Sequence, residues 1–381
     1  MIPRRISPLL KKSNKSILLL GPRQTGKSTL VSSFQTDLKI NLAHEMAFLE
    51  FSRNPLELEQ RIKGTNARTI FIDEVQRLPN LLNTVQALID ESAGKLKFFL
   101  TGSSARKLRR GKANLLPGRI HAYHLAPLAS MELDYRIDTQ QCLQTGSLPG
   151  IYTDPDEKSR QKTLRSYCAT YLKEEIQAEA LARNIEGFAR FLHVAAAHAG
   201  QYLDLAKFAS EAQVPRQSAV RFFEILEDTL LVHRCESFAK SARRRLLQHP
   251  RYFFFDTGVL NGVLGNFHAS EDRKGPLFEH FFFNQLINSA YAGDVDLRIS
   301  SYRTSHGAEV DFIIEINDSL WAVEIKASQS IGRHDLRGMK SFSEYYGKKH
   351  FKAVAYMGKD VKRIEEIDAL PWQLLIKKMG L

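Results

Sequence analysis

The chain has 381 residues, 43% of them hydrophobic and 25% charged, which is enough apolar material for two or three globular domains. Its cysteines, Cys142, Cys168 and Cys235, have no paired spacing, which argues against a disulfide framework or a zinc site and favours a cytoplasmic location. No apolar run reaches the roughly 18 residues of a membrane span, and the net charge of +12 favours a polyanionic partner, nucleic acid first, unless the charge serves solubility alone.

An apolar run at residues 17–20 predicts a buried strand, and a glycine-rich stretch follows it. The stretch fits the phosphate-loop pattern G-x-x-x-x-G-K-[ST] at every defined position and consists of Gly21, Pro22, Arg23, Gln24, Thr25, Gly26, Lys27, Ser28 and Thr29. Glycines let main-chain N–H groups face phosphate oxygens, Lys27 offers a charge to the β- and γ-phosphates, and Ser28 is a natural Mg²⁺ ligand. The pattern predicts ATP and Mg²⁺ as ligands, with a chance glycine loop as the alternative.

A second apolar run, residues 69–72, ends in two acidic residues, Asp73 and Glu74. In a nucleotide-binding sheet, Asp73 is expected to reach Mg²⁺ through its water shell. Glu74 is expected to polarise the attacking water as a general base. An apolar strand that ends in Asp-Glu is weak support alone, but it is strong downstream of an intact phosphate loop.

The third predicted strand, residues 96–100, also ends in polar residues. Ser103 or Ser104 is expected to lie between the phosphate loop and the acids, where it can hold the attacking water or sense the γ-phosphate. The choice between the two serines stays open, and a simple turn is the alternative.

Arg119 directly precedes the fourth predicted strand, which begins at Ile120. An arginine in this position can reach a neighbouring subunit's nucleotide and act in trans as an arginine finger, which implies a ring or at least a dimer. The alternative is a surface arginine, because this region holds several.

The phosphate loop and the stretches 72–76, 100–104, 117–119 and 125–128 resemble a widespread bacterial and archaeal family of AAA+ ATPases with a C-terminal domain of unknown function. The resemblance extends to 146–150, 255–258 and the C-terminal block. It implies a five-stranded AAA+ core, a winged helix and a restriction-endonuclease-like fold. Members usually have Arg-Asp or Lys-Asp near the position of Lys173 and Glu174, so this position is altered and no site is assigned to it.

Residues 203–231 predict a helix, a turn at 212–215 and a second helix. Arg216 and Arg221 are expected to face outward near the start of the second helix, where residues of a recognition helix contact DNA. The residues expected to pack inward are Val220, Phe223, Leu226 and Leu230. A protein–protein joint is an equally open interpretation of this region.

A basic cluster follows at 240–245. Its arginines, Arg243, Arg244 and Arg245, suit DNA phosphate contacts, with a solvated basic loop as the alternative.

The C-terminal block predicts a second site. Asp311 starts a strand that a turn at 317–319 returns as a second strand, on which Glu324 and Lys326 face the same side. Two carboxylates with water suit Mg²⁺ or Mn²⁺, and Lys326 would orient or deprotonate the nucleophile. This looks like the PD-(D/E)XK nuclease core, in which Glu279 occupies the helix position that often supplies a further metal ligand. A solvated strand face, or a fold that only binds DNA, stays open.

The predicted α/β architecture has three parts: an AAA+ ATPase domain at 1–150, a helical and winged-helix connector at 151–250 and a nuclease-like domain at 251–381. The predicted function is Mg²⁺-dependent ATP hydrolysis coupled to action on DNA, by a homo-oligomer for which a hexameric ring is one option. The alternative is a nucleotide-operated signalling or defence switch with a protein partner and an inert nuclease fold.

Overall fold

The computed structural model describes residues 2–103, 118–172, 185–239, 249–331 and 337–381. The chain divides into two compact units. The first comprises residues 1–126 and 225–231, and the second comprises 127–224 and 232–381. The predicted boundaries at 150 and 250 stay predictions.

The first unit contains a five-stranded sheet and its flanking helices. The strands are β1 (Ser16–Leu20), β2 (Leu38–Asn41), β3 (Thr69–Asp73), β4 (Lys97–Gly102) and β5 (Ile120–His124). The helices are α1 (Ser7–Lys12), α2 (Lys27–Ser32), α3 (Glu45–Arg53), α4 (Glu57–Thr65) and α5 (Leu81–Glu91). The strand order is β2-β3-β4-β1-β5 and every neighbouring pair is parallel, so all five strands end at one edge.

Both faces of this sheet are apolar at its centre, which is why the three central strands, β1, β3 and β4, are nearly continuous hydrophobic runs. Leu18 and Ile72 pack into a core on one face. Ile17 and Phe71 pack into a second core on the other face. Side chains alternate along each strand, so a run with no polar position can fill both cores and leave its polar residues for the strand ends.

The second unit begins with helices. They are α6 (Thr139–Thr145), α7 (Pro149–Tyr152), α8 (Glu157–Ser166), α9 (Ile185–Ala197), α10 (Leu205–Glu211) and α11 (Arg216–Asp228), the last of which ends among residues grouped with the first unit. Later helices are α12 (Thr257–Leu264), α13 (Glu271–Gly293), α14 (Arg337–Tyr346) and α15 (Trp372–Lys378).

An eight-stranded mixed sheet organises the rest of this unit. Its strands are β6 (Val232–Ser237), β7 (Arg251–Phe254), β8 (Leu297–Arg303), β9 (Glu309–Ile316), β10 (Ser319–Lys326), β11 (Phe351–Tyr356), β12 (Lys362–Ile364) and β13 (Ile367–Pro371), in the order β12-β13-β11-β10-β9-β8-β6-β7. The predicted hairpin is β9 paired antiparallel with β10, and its turn residues Asn317 and Asp318 both have positive φ.

The predicted helix–turn–helix corresponds to α10 and α11, but one inward residue was predicted wrongly. Val220 is 41% exposed, whereas Phe222 and Phe223 are buried. The reason is an aromatic cluster: the Phe191 ring lies 5.1 Å from Phe222 and 4.9 Å from Phe223, which sets the buried face of α11. Arg216 on the same helix is exposed, as expected.

Two motifs that are far apart in sequence meet around Asp256. Its carboxylate accepts hydrogen bonds from Ser147 N (2.7 Å) and Val259 N (3.1 Å), so it caps α12 and anchors the segment after α6. A Cβ at Gly146 would overlap this carboxylate, which requires glycine there. Complete burial raises the pKa of Asp256 to about 6 despite these bonds.

Among the described residues, no helix combines the length and the apolar character that are needed to cross a membrane.

Candidate functional site

The phosphate loop lies between β1 and α2, at the edge where the strands of the first sheet end. Gly26 has φ +90° and precedes the helix, and a Cβ at Gly21 would overlap the carbonyl oxygen of Leu125. Both glycines of the motif are therefore required by the backbone. Lys27 is only 5% exposed, and its Nζ donates to the carbonyl oxygens of Gly21 and Pro22 at 2.8 Å each. Its ammonium group is held inside the curve of the loop.

Arg4 supports this loop from outside the motif. Its Nη1 donates to Thr25 O and its Nη2 to Ala126 O, both at 2.7 Å. Thr25 is fully buried and donates to Pro22 O at 2.9 Å. Sequence reasoning missed Arg4 because it precedes β1 and belongs to no recognised motif.

Ser28 and Asp73 come together, as predicted. Ser28 Oγ donates to Asp73 Oδ1 at 2.8 Å. The hydroxyl of Thr101, which sequence reasoning did not single out, also donates to Asp73 Oδ1 and accepts from Glu74 N at 3.2 Å. A serine hydroxyl beside a carboxylate is a hard-oxygen donor set that fits Mg²⁺. These residues would hold the ion, which supplies charge neutralisation at the phosphates when bound.

Glu74 is positioned by a glutamine. Gln76, which is 4% exposed, donates through Nε2 both to the Glu74 carboxylate and to Ser103 Oγ, the latter at 2.9 Å. Glu74 itself has φ +58° and ψ +42°, a left-handed conformation that is unusual for glutamate. Unusual backbone conformations of this kind occur often at functional sites. Ser103 is thus linked to Glu74 through Gln76, its role at the γ-phosphate stays a prediction, and Ser104 lies outside the described residues.

Arg119 lies at the start of β5, whereas the phosphate loop follows the end of β1, its parallel neighbour. Its Nε bonds Asp90 Oδ1 on α5 at 2.6 Å, and this contact lowers the pKa of Asp90. Parallel strands place these two positions at opposite edges of the sheet, so Arg119 cannot contact the phosphate loop of its own subunit. Its role in trans stays a prediction.

Family models match the chain in three consecutive pieces. The model described as an AAA domain matches residues 13–133. The chain carries an AAA domain. Two models described as domains of unknown function, DUF8612 and DUF4143, match 136–270 and 274–375. The phosphate loop, Asp73, Glu74 and Ser103 all fall within the AAA domain.

Two mycobacterial relatives resemble most of the chain. The uncharacterized protein Rv2008c of Mycobacterium tuberculosis is 25% identical over 323 residues, which cover 82% of this chain and 70% of the relative. The uncharacterized protein Mb2031c of Mycobacterium bovis gives the same values.

Similarity to solved structures is low. A chain from the structure of two coordinating Pif1 helicases at forked double-stranded DNA has 12% identity and a TM-score of 0.25, and covers 42% of this chain and 50% of that one. The replication initiator DnaA, bound to AMPPCP and single-stranded DNA, has 12% identity and a TM-score of 0.28, with coverages of 58% and 85%.

In the second unit, the predicted nuclease-like residues are neighbours. Asp311 N donates to Glu324 Oε2 at 3.3 Å, and Ile325 N donates to Asp311 Oδ2 at 2.7 Å. Lys326 Nζ lies 3.7 Å from Glu324 Oε1. Burial raises the pKa of Glu324 to about 7, and burial together with the nearby Glu279 and Glu324 raises that of Asp311.

Arg251, the first residue of β7, completes this group, and the sequence analysis assigned it to no site. It is 3% exposed, its Nη2 bonds the Glu279 carboxylate, and its Nη1 donates to Asp311 O at 3.2 Å. Within the described ranges no three His, Cys, Asp or Glu side chains are arranged to hold a metal ion. Glu279 has the guanidinium of Arg251 as its partner, and the metal roles of Glu279, Asp311 and Glu324 stay predictions. Below, the carboxylate cluster means Arg251, Glu279, Asp311, Glu324 and Lys326.

The structure describes only two of the five arginines that are predicted to contact DNA. Arg216 and Arg221 are exposed on α11. The three arginines of the basic cluster, Arg243, Arg244 and Arg245, lie outside the described residues.

Proposed function

We propose that this protein is a Mg²⁺-dependent ATPase that acts on DNA as an oligomeric motor or remodeller. One observation carries the proposal: the end of β3 brings Asp73 to Ser28 of the phosphate loop at 2.8 Å, while Glu74 is held beside Ser103 through Gln76. The match of residues 13–133 to an AAA domain supports the same assignment.

Each residue has a role in this reaction. Lys27 and the loop N–H groups bind the β- and γ-phosphates, and Ser28 and Asp73 hold Mg²⁺. Glu74 takes a proton from the attacking water, and Gln76 and Ser103 fix its carboxylate. Arg119 of one subunit reaches the γ-phosphate of the next, which requires an oligomer.

Action on DNA is supported by charge and by exposed arginines. The chain carries 54 Lys and Arg against 42 Asp and Glu. Arg216 and Arg221 are exposed on α11, and the strands β6 and β7 that follow this helix pair antiparallel. Three helices followed by such a hairpin are compatible with a winged helix, in which these arginines would contact phosphates.

The decisive experiment combines ATP turnover, strand displacement and DNA cleavage in one reaction with single-stranded, double-stranded and branched DNA. We expect DNA to stimulate turnover by the wild type. We expect Glu74→Gln to remove turnover while ATP binding is kept, and Glu91→Gln, an exposed glutamate at the end of α5, to behave as the wild type. An ATP turnover rate that no DNA changes would contradict action on DNA.

A second candidate is a nucleotide-operated signalling or defence switch with a protein partner and an inert nuclease fold. The bond between Arg251 and Glu279 favours it, because a buried guanidinium occupies one of the carboxylates that a nuclease would use for metal. In this case ATP turnover responds to a protein partner and no DNA form is cut.

A further inference from the structure

The carboxylate cluster contains its own positive charges. Three carboxylates, from Glu279, Asp311 and Glu324, lie with the guanidinium of Arg251 and the ammonium of Lys326. Half-buried carboxylates this close to one another are stabilised by a compensating cation or a proton. A metal-dependent nuclease takes that cation from solution, whereas here it is covalently part of the chain.

Arg251 is held in place on all sides. Besides Glu279 and Asp311, its Nε donates to Gly200 O at 2.5 Å. Its guanidinium lies 5.0 Å from the centre of the Phe253 ring and 5.6 Å from that of Phe312. A planar group with three directed hydrogen bonds and aromatic neighbours has little freedom to leave when a metal ion arrives.

The carboxylates are also engaged individually. Asp311 accepts the Ile325 amide at 2.7 Å, Glu324 accepts the Asp311 amide at 3.3 Å, and Glu279 bonds Arg251. A divalent ion that bridged all three would have to displace the Arg251 guanidinium from Glu279 and lie close to two fixed positive charges, those of Arg251 and Lys326. Like charges this close together repel each other strongly because the surroundings screen them poorly.

We propose that Arg251 is the resident cation of the carboxylate cluster and that the cluster therefore binds no divalent metal ion. This inference rests on the nuclease-like interpretation of the region, which Proposed function includes as an inert nuclease fold. It favours a fold that does not cut DNA. It predicts that removal of the guanidinium creates a metal site that the natural chain lacks.

The test measures Mn²⁺ binding to the full chain in the absence of nucleotide. The electron paramagnetic resonance signal of free Mn²⁺ reports how much of the ion is bound. Every protein carries Asp73→Asn so that the nucleotide site contributes little to Mn²⁺ binding, and the protein with this change alone is called the parent. We expect the parent to bind no Mn²⁺ that depends on Glu324. We expect Arg251→Gln to gain one equivalent, tighter than any parent site by about tenfold or more, or ~1.4 kcal/mol, and lost again on Glu324→Gln.

Arg234→Gln is the matched control, because Arg234 is exposed, lies on the neighbouring strand β6 and pairs with Glu236 at 2.8 Å. Circular dichroism checks that each variant is folded. A parent that binds one Mn²⁺, lost on Glu324→Gln, overturns the proposal, and so does a folded Arg251→Gln protein that gains none. If Arg251→Gln does not fold, the comparison of the parent with its Glu324→Gln form still decides. ATP turnover is measured separately, so a failed ATPase assignment leaves this result intact.

Discussion

The nucleotide site and the carboxylate cluster both use charged side chains near strand ends, yet they are assembled differently. Consecutive residues from 21 to 29 form most of the first site, and loop backbone surrounds Lys27. In the second, Arg251 comes from β7, Glu279 from α13, and Asp311 and Glu324 from β9 and β10. A site that one loop forms can be recognised from the local amino-acid sequence. A site made from distant strands acquires its charge balance only when the chain folds.

Lys27→Ala is the most direct test of the nucleotide site in this comparison, and it has the largest expected effect. The lysine is the positive charge inside the loop, so we expect ATP turnover to fall by at least about 100-fold. Phosphate release under saturating ATP measures it. Lys39→Ala, an exposed lysine on β2, is the control and should leave turnover unchanged. Retained turnover in Lys27→Ala would show that the nucleotide site is placed wrongly.

Arg119→Ala tests whether the first site is complete within one chain. We expect turnover to fall by about 100-fold or more, because an arginine finger stabilises charge in the transition state. The stronger test mixes Arg119→Ala with Lys27→Ala protein, each inactive alone. Recovered turnover in the mixture indicates that one chain supplies Arg119 to the other's loop. Arg68→Ala, an exposed arginine just before β3, is the control. No recovery, with oligomers present, contradicts the role in trans.

Arg4→Ala sharpens the comparison by testing support from outside the motif. Loss of its bonds to Thr25 O and Ala126 O should loosen the loop and raise KM for ATP by about tenfold, with a smaller change in kcat. Steady-state kinetics separate the two constants. The neighbouring exposed Arg5, changed to Ala, serves as the control. An unchanged KM would mean that the loop holds its shape without Arg4.

Asp256→Asn tests the second unit through pH. The folded pKa of Asp256 is about 6, above its ordinary 3.8. The folded state therefore keeps the proton longer than the unfolded state, and the contribution of this group to stability falls as pH rises from about 4 to 6, by at most ~1.4 kcal/mol per pH unit. Urea unfolding across this range should show the fall in the wild type and a shallower dependence in Asp256→Asn. Parallel curves would contradict the burial argument.

Much of the AAA domain could be predicted from the sequence for a physical reason. A parallel strand buried on both faces is a continuous apolar run, and the residues that end it, Asp73 and Ser103, must meet the phosphate loop at one sheet edge. Gln76 lies in the stretch 72–76, but its local pattern predicts no role for it, because only the turn after β3 directs its amide at Glu74 and Ser103.

The amino-acid sequence by itself predicted the phosphate loop, the strands β1, β3, β4 and β5, and the approach of Asp311 to Glu324, since each follows from local pattern or from a short hairpin. Only the tertiary structure decided which cation compensates the carboxylate cluster. Arg251 is distant from Asp311 in sequence, and nothing in its local pattern separates a buried arginine from an exposed one. The role of Arg251 depends on its burial among groups from other elements of the fold, where a charge is stable only beside an opposite charge.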